Sequence, residues 1–227
     1  MSDYTAFLRQ KIKMANFAGF DIKPEDAHPI LFPHQRDIVR WAVLGGNRAI
    51  FASFGLGKSV MQCEWLRQII AAAGGCGLIV CPLGVRQELI RDAAMLGMRL
   101  VFIRSASEMV QGQAFYVTNY ETVRDGNLNP ALFTAVSLDE ASVLRSFGSK
   151  TYQEFLPLFE GVRFKLVNTA TAELLELLSP FSVYPGLSAS GIKVTFSNAQ
   201  GAITIPSIST DAALAGRRLG LRGVEPV

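Results

Sequence analysis

Six apolar runs of strand length recur through the first 171 residues, most of them separated by stretches of helical periodicity. The runs are RAIFAS (48–53), GLIVCP (77–82), RLVFIRS (99–105), AFYVTNY (114–120), FTAVSLDE (133–140) and VRFKLVNTAT (162–171). The helical stretches include PHQRDIVRWAVL (33–44), KSVMQCEWLRQIIAAA (58–73), GVRQELIRDAAMLG (84–97) and TYQEFLPLF (151–159). In the first, Ile38, Trp41 and Ala42 share a face behind Pro33; the second stops at Gly74-Gly75. Strands that read as unbroken apolar runs lie buried on both faces, which is the pattern of a parallel sheet covered by helices on each side. In such sheets ligands bind beyond the carboxyl ends of the strands. Five polar clusters stand at those ends here: FGLGKS, CPLG, TNYE, DEAS and TAT.

Composition agrees with a packed domain. Hydrophobic residues make up 49% of the 227 and charged ones 18%, which excludes a disordered chain. The net charge of +3 permits a nucleic-acid partner, though an ordinary solvated surface carries as much. Cys63, Cys76 and Cys81 form no C-x-x-C pair, and only His28 and His34 are available to join them, so a zinc site is not expected. The longest uncharged run, residues 69–85, is interrupted by Gly74-Gly75 and Pro82 and reads as helix end, turn and buried strand. No secretory signal is read at the start. The expectation is a soluble, cytoplasmic protein with no membrane partner.

The cluster ASFGLGKS (52–59) links a strand to a helix. Such a loop aims backbone N–H groups at an anion, and the helix N-terminus adds positive potential. Gly55 and Gly57 permit a tight turn and close approach; Lys58 suits β- and γ-phosphates and Ser59 suits Mg²⁺. A glycine turn before a lysine-led helix is the plain alternative. SLDEAS (137–142) closes an apolar strand with two acids. Asp139 suits Mg²⁺ and Glu140 suits the attacking water of phosphoryl transfer, whereas helix-capping acids are the alternative. Arg86, Arg91, Arg99, Arg104 and Arg124 are equally readable as phosphate contacts or as solvated helix ends. Trp41 and Trp65 read as packing rather than base-stacking residues.

The order of these motifs resembles superfamily 2 helicases and translocases, in particular their Swi/Snf-like and phage-type DEAD-like branch. That family writes its phosphate loop A-x-x-G-x-G-K-[ST], so Ala52, which departs from the general G-x-x-x-x-G-K-[ST] pattern, is the family's own residue. DEAS stands at its DEAD or DEAH box. LFPHQ resembles the upstream glutamine motif, CPLGVRQE and VTNYE the two motifs that face nucleic acid, and TAT the coupling motif.

The likeness covers about residues 30–171. Helical spacing at the start reads as an N-terminal helical extension over 1–29, and the change of composition after Thr171 as a divergent, irregular or β-containing tail over 172–227; the likeness implies a RecA-like ATP-binding domain between them. It implies ATP and Mg²⁺ as cofactors, with Gln35 reading adenine and Phe54, Gly55, Leu56, Gly57, Lys58 and Ser59 holding the nucleotide. Lys58, Asp139 and Glu140 would be catalytic, with Ser59 and Asp139 on the metal. Thr169, Ala170 and Thr171 would couple hydrolysis to movement, while Pro82, Leu83, Arg86, Asn119 and Tyr120 would face DNA, or RNA.

The likeness also has gaps. Ala172 follows TAT where the family usually has proline, and no Q-x-x-G-R-x-x-R pattern appears among the residues that follow; GRRLGLR (216–222) is basic but lacks the glutamine. In the complete engine a second lobe supplies an arginine worth roughly 10³–10⁵ in rate. The expectation is therefore one lobe of a helicase or translocase, weak in hydrolysis unless a separate chain supplies the second lobe. The alternative is a non-catalytic remnant of prophage type, or a module that binds nucleotide or DNA. The tail's AITIPSIS (202–209) and IKVTFS (192–197) read as edge strands. A small-molecule kinase is disfavoured, since DEAS and TAT together do not suit one.

Overall fold

The computed structural model describes residues 18–52, 55–147, 155–170 and 202–205. Among these residues seven strands form one sheet in the order β3-β4-β2-β5-β6-β1-β7, and every neighbouring pair is parallel. The strands are β1 (Asn47–Ala52), β2 (Gly77–Cys81), β3 (Leu100–Phe102), β4 (Phe115–Asn119), β5 (Ala135–Asp139), β6 (Phe164–Thr169) and β7 (Ala202–Ile205). The first six coincide with the six apolar runs, with β1 beginning one residue before its run. The seventh lies at the sheet edge against β1, as AITIPSIS suggests; IKVTFS lies outside the described residues.

Among the described residues four α-helices accompany the strands: α1 (Pro33–Gly45), α2 (Lys58–Ala73), α3 (Arg86–Met95) and the short α4 (Tyr120–Arg124). Proline opens α1, where its missing N–H costs nothing. Gly46 (φ 73°) and Gly74 (φ 71°) terminate α1 and α2 in backbone conformations that a side chain would resist.

Alternation along each strand builds two cores, one on each sheet face. On one face Ile50, Ala52, Ile79 and Cys81 pack with Met61, Trp65 and Ile69 of α2 and with Ile38, Val39 and Val43 of α1. On the other Ala49, Phe51, Leu78 and Val80 pack with Tyr120, Val123, Phe133, Phe155 and Phe159. This double burial is why the strands read as unbroken apolar runs. Trp65 is fully buried, as its packing role requires. No helix among the described residues is long and apolar enough to cross a membrane.

Two sequence expectations need adjustment. The helix expected over 151–159 is, at Leu156–Phe159, a single 3-10 turn; Pro157 supplies no N–H to an α-helical ladder there. The strand expected through Tyr120 stops at Asn119, and Tyr120 opens α4. Residues 1–17, with most of the expected N-terminal helix, and GRRLGLR lie outside the described residues.

Candidate nucleotide site

The site follows from the strand order. β6 runs between β5 and β1, pairing Asp139 with Asn168 on one side and Phe51 with Thr169 on the other. The carboxyl ends of β1 and β5 therefore flank the end of β6. The loop after β1 and the acids after β5 meet over it, although some eighty residues separate them in the chain.

Gly55, Gly57, Lys58, Ser59, Val85, Glu88, Leu89, Asp92, Asp139 and Glu140 line one cavity of about 490 Å³. Gly55 (φ 82°) and Gly57 (φ 73°) both take the left-handed region, which the tight loop requires. Gly57 is additionally confined: a Cβ there would meet Gln35 Nε2 at 2.4 Å. Gln35 is buried and bridges two segments, accepting from the Phe32 N–H at 3.0 Å and donating to the Leu56 carbonyl at 3.1 Å. It is thus joined directly to the loop. Lys58 is half-buried, and its Nζ donates to the Ala52 carbonyl at 2.8 Å. Burial lowers its pKa, against the opposing pull of Glu140 and Asp139.

Asp139 is buried, and desolvation followed by repulsion from Glu140 pushes its carboxyl up to about 6, with Lys58 pulling the other way. Glu140 has φ 49°, the one positive φ at a non-glycine among the described residues. A left-handed glutamate at a strand end is a strained conformation of the kind that gathers at functional sites. Its carboxylate accepts from the Ser142 hydroxyl and from Thr169 Oγ1 at 3.5 Å. Asn168 Nδ2 reaches the Lys58 carbonyl at 3.4 Å, tying the start of α2 to the end of β6.

The other expected residues separate into groups. Thr169 is buried and Ala170 half-buried beside Glu140; Phe54 and Thr171 lie outside the described residues. Pro82, Leu83 and Arg86 follow β2 on the same carboxyl edge, with Leu83 exposed. Asn119, at the end of β4, donates to Glu121 and accepts from Thr122, which fixes the turn into α4. Tyr120 is a correction: it is fully buried, and its hydroxyl donates to the Asp139 carbonyl at 2.8 Å. Its aromatic ring packs into the core beside Phe155, so it offers nucleic acid no surface and instead braces the acidic strand end.

Sequence reasoning missed Glu88 and Asp92, which line the cavity from α3, and Ser142 and Asn168. The i, i+4 spacing of Glu88 and Asp92 just after a strand-end motif was the signal available for the first two; contacts between distant segments carry no such signal.

The arrangement fits a magnesium nucleotide. Ser59 and Asp139 offer hard oxygen donors on one cavity, and a cation would relieve the repulsion that raises Asp139. Among the described residues no cluster of three or more His, Cys, Asp or Glu could hold a metal by itself.

No protein-family model matches the chain, and no curated protein matches it. Solved structures do. The Sulfolobus solfataricus SWI2/SNF2 ATPase core, determined with dsDNA, matches with a TM-score of 0.54 at 16% identity, covering 66% of this chain and 34% of that one. The UvsW helicase from bacteriophage T4 matches with a TM-score of 0.52 at 14% identity, covering 90% of this chain and 67% of that one. A second T4 UvsW structure matches with a TM-score of 0.50 at 16% identity, over 74% of this chain and 34% of that one. This chain thus spans about a third of the SWI2/SNF2 core. The likeness is one of architecture: the chain shares with these ATPase and helicase cores a RecA-like α/β fold.

Proposed function

We propose that the chain is an ATP-binding and ATP-hydrolysing lobe that works on nucleic acid, DNA in the first instance. The observation that carries this reading is the convergence of the glycine loop, Lys58, Ser59, Asp139 and Glu140 on one cavity at the carboxyl edge of a parallel sheet. The solved complex of the SWI2/SNF2 core with dsDNA supports the choice of nucleic acid.

In this reading the N–H groups around Gly55 and Gly57 cradle phosphate, and Gln35 fixes the adenine edge of the site. Lys58 leaves the Ala52 carbonyl to meet the phosphates. Ser59 and Asp139 would hold Mg²⁺, which would supply charge neutralisation to phosphoryl transfer. Glu140 orients water and takes its proton. Its strained backbone and its contacts to Ser142 and Thr169 hold the carboxylate in place. Thr169 donates to Glu140 from β6, so a change at that acid is felt at once by the segment over 169–171, the coupling element of this reading. Pro82, Leu83, Arg86 and Asn119 belong to the same edge and would meet the nucleic-acid strand.

A second lobe on a separate chain would supply the arginine that completes the transition state. Alone, this lobe turns over slowly. The test measures ATP hydrolysis by the full chain with and without DNA, beside Glu140→Gln. Loss of a general base lowers the rate roughly 10²–10⁴-fold. Equal rates in both proteins would remove Glu140 from the chemistry. No hydrolysis in either, with nucleotide still bound, would make the chain a binding module.

A further inference from the structure

Beyond the cavity, the carboxyl edge carries a second feature. Phe102 ends β3, the edge strand of the sheet on the side away from β7. The guanidinium of Arg86 lies 4.4 Å from the centre of its ring, and that of Arg104 lies 5.5 Å from the same centre. Arg86 opens α3 just after β2, whereas Arg104 follows β3 by two residues and is exposed. Two segments of the sheet thus bring two positive charges onto one half-buried aromatic ring.

Neither guanidinium has an acidic partner among the described residues; ion pairs there involve Arg40, Arg67 and Arg124. Cation–π attraction draws each guanidinium to the ring. It also holds both side chains in place, so less rotamer entropy is lost when a ligand arrives. α3 is polarised accordingly: Glu88 and Asp92 face the nucleotide cavity, and Arg86 faces Phe102.

We infer that Arg86, Phe102 and Arg104 form an anchoring point for the phosphodiester backbone of nucleic acid, with Arg104 and Phe102 extending the contact beyond the motif after β2. Guanidinium groups match phosphate oxygens in fork geometry, and a pair of them spaced around one ring spans neighbouring phosphates of a strand. The contact is to the backbone, so it adds affinity and register without sequence preference. This inference rests on the nucleic-acid part of the proposed function and is independent of its hydrolytic part.

The experiment titrates the full chain with a fluorescent DNA duplex and with a single strand, over a series of salt concentrations, without ATP. The variants are Arg104→Ala, Arg104→Glu and Phe102→Leu, with Arg99→Ala as control. Arg99 is exposed at the amino end of the same strand, so it removes the same charge from the opposite sheet edge. Arg104→Ala is expected to weaken binding uniformly across sequences and to reduce the salt slope by about 1. Arg104→Glu weakens it further, Phe102→Leu weakens it by freeing both arginines, and Arg99→Ala does neither. A thermal melt confirms that each variant is folded. If Arg99→Ala and Arg104→Ala weaken binding equally, only general charge is at work and the inference falls. It falls too if folded Arg104→Glu binds like the parent. If the parent binds nucleotide but no DNA, the nucleic-acid reading falls with it, while the ATP site stands.

Discussion

Asp139→Asn offers a direct test of the electrostatics of the cavity. In the metal-free protein the folded state raises the Asp139 pKa from 3.8 to about 6. Its folded value lies above its unfolded one, so folding favours the protonated form. Below about pH 4 both states hold the proton and no penalty exists. As pH rises from about 4 to about 6 the unfolded chain releases its proton first, and stability falls; above about 6 the full penalty remains. A shift of about two units corresponds to about 3 kcal/mol. Asparagine keeps the shape of the side chain and the oxygen that accepts from the Glu140 N–H, but never ionises.

The variant should therefore gain up to about 3 kcal/mol at pH 8, in chelator, and nothing at pH 4. For a chain of this size that is roughly 6–12 °C in melting temperature. The same substitution removes a metal oxygen, so Mg²⁺-dependent nucleotide binding should be lost. The assay is a pair of thermal melts across pH, with and without Mg²⁺ and nucleotide. A variant that is no more stable than its parent at pH 8, or equally more stable at pH 4 and pH 8, would refute the argument from burial and charge.

Two further outcomes follow from the geometry. Lys58→Ala should abolish nucleotide binding and, by leaving the Ala52 carbonyl without this donor, cost about 1 kcal/mol of stability; nucleotide titration beside a melt checks both, and undiminished affinity in folded protein would remove Lys58 from the site. Glu64 is fully buried on α2 and accepts from the His28 N–H at 3.0 Å, Gln68 Nε2 at 2.8 Å and both Arg67 nitrogens at 2.7 Å. Glu64→Ala strands those donors and should cost about 1–3 kcal/mol, read by denaturant unfolding, because partly buried donors lose their acceptor.

The order of elements, the two-faced burial of the sheet and the glycine loop were legible in the chain itself. Period-2 and period-3.6 patterns and turn residues are local, and strands buried on both faces leave no polar alternation to misread. The identity of the strand-end residues was legible for the same reason, since Gly55, Gly57 and Glu140 sit where local backbone geometry makes its demands. Strand order was not. The pairing of β6 between β5 and β1 joins segments far apart in sequence, and it alone decides that Lys58 and Asp139 share a cavity.

The same long-range packing turned Tyr120 inward, from the surface expected of it to a hydroxyl bound to the Asp139 carbonyl. It set Gln35 against the phosphate loop. It also gathered Arg86 and Arg104 on Phe102, where sequence left each arginine balanced between phosphate contact and solvated helix end. A side chain's environment is set by residues that reach it through space, and the chain's local pattern holds no record of them.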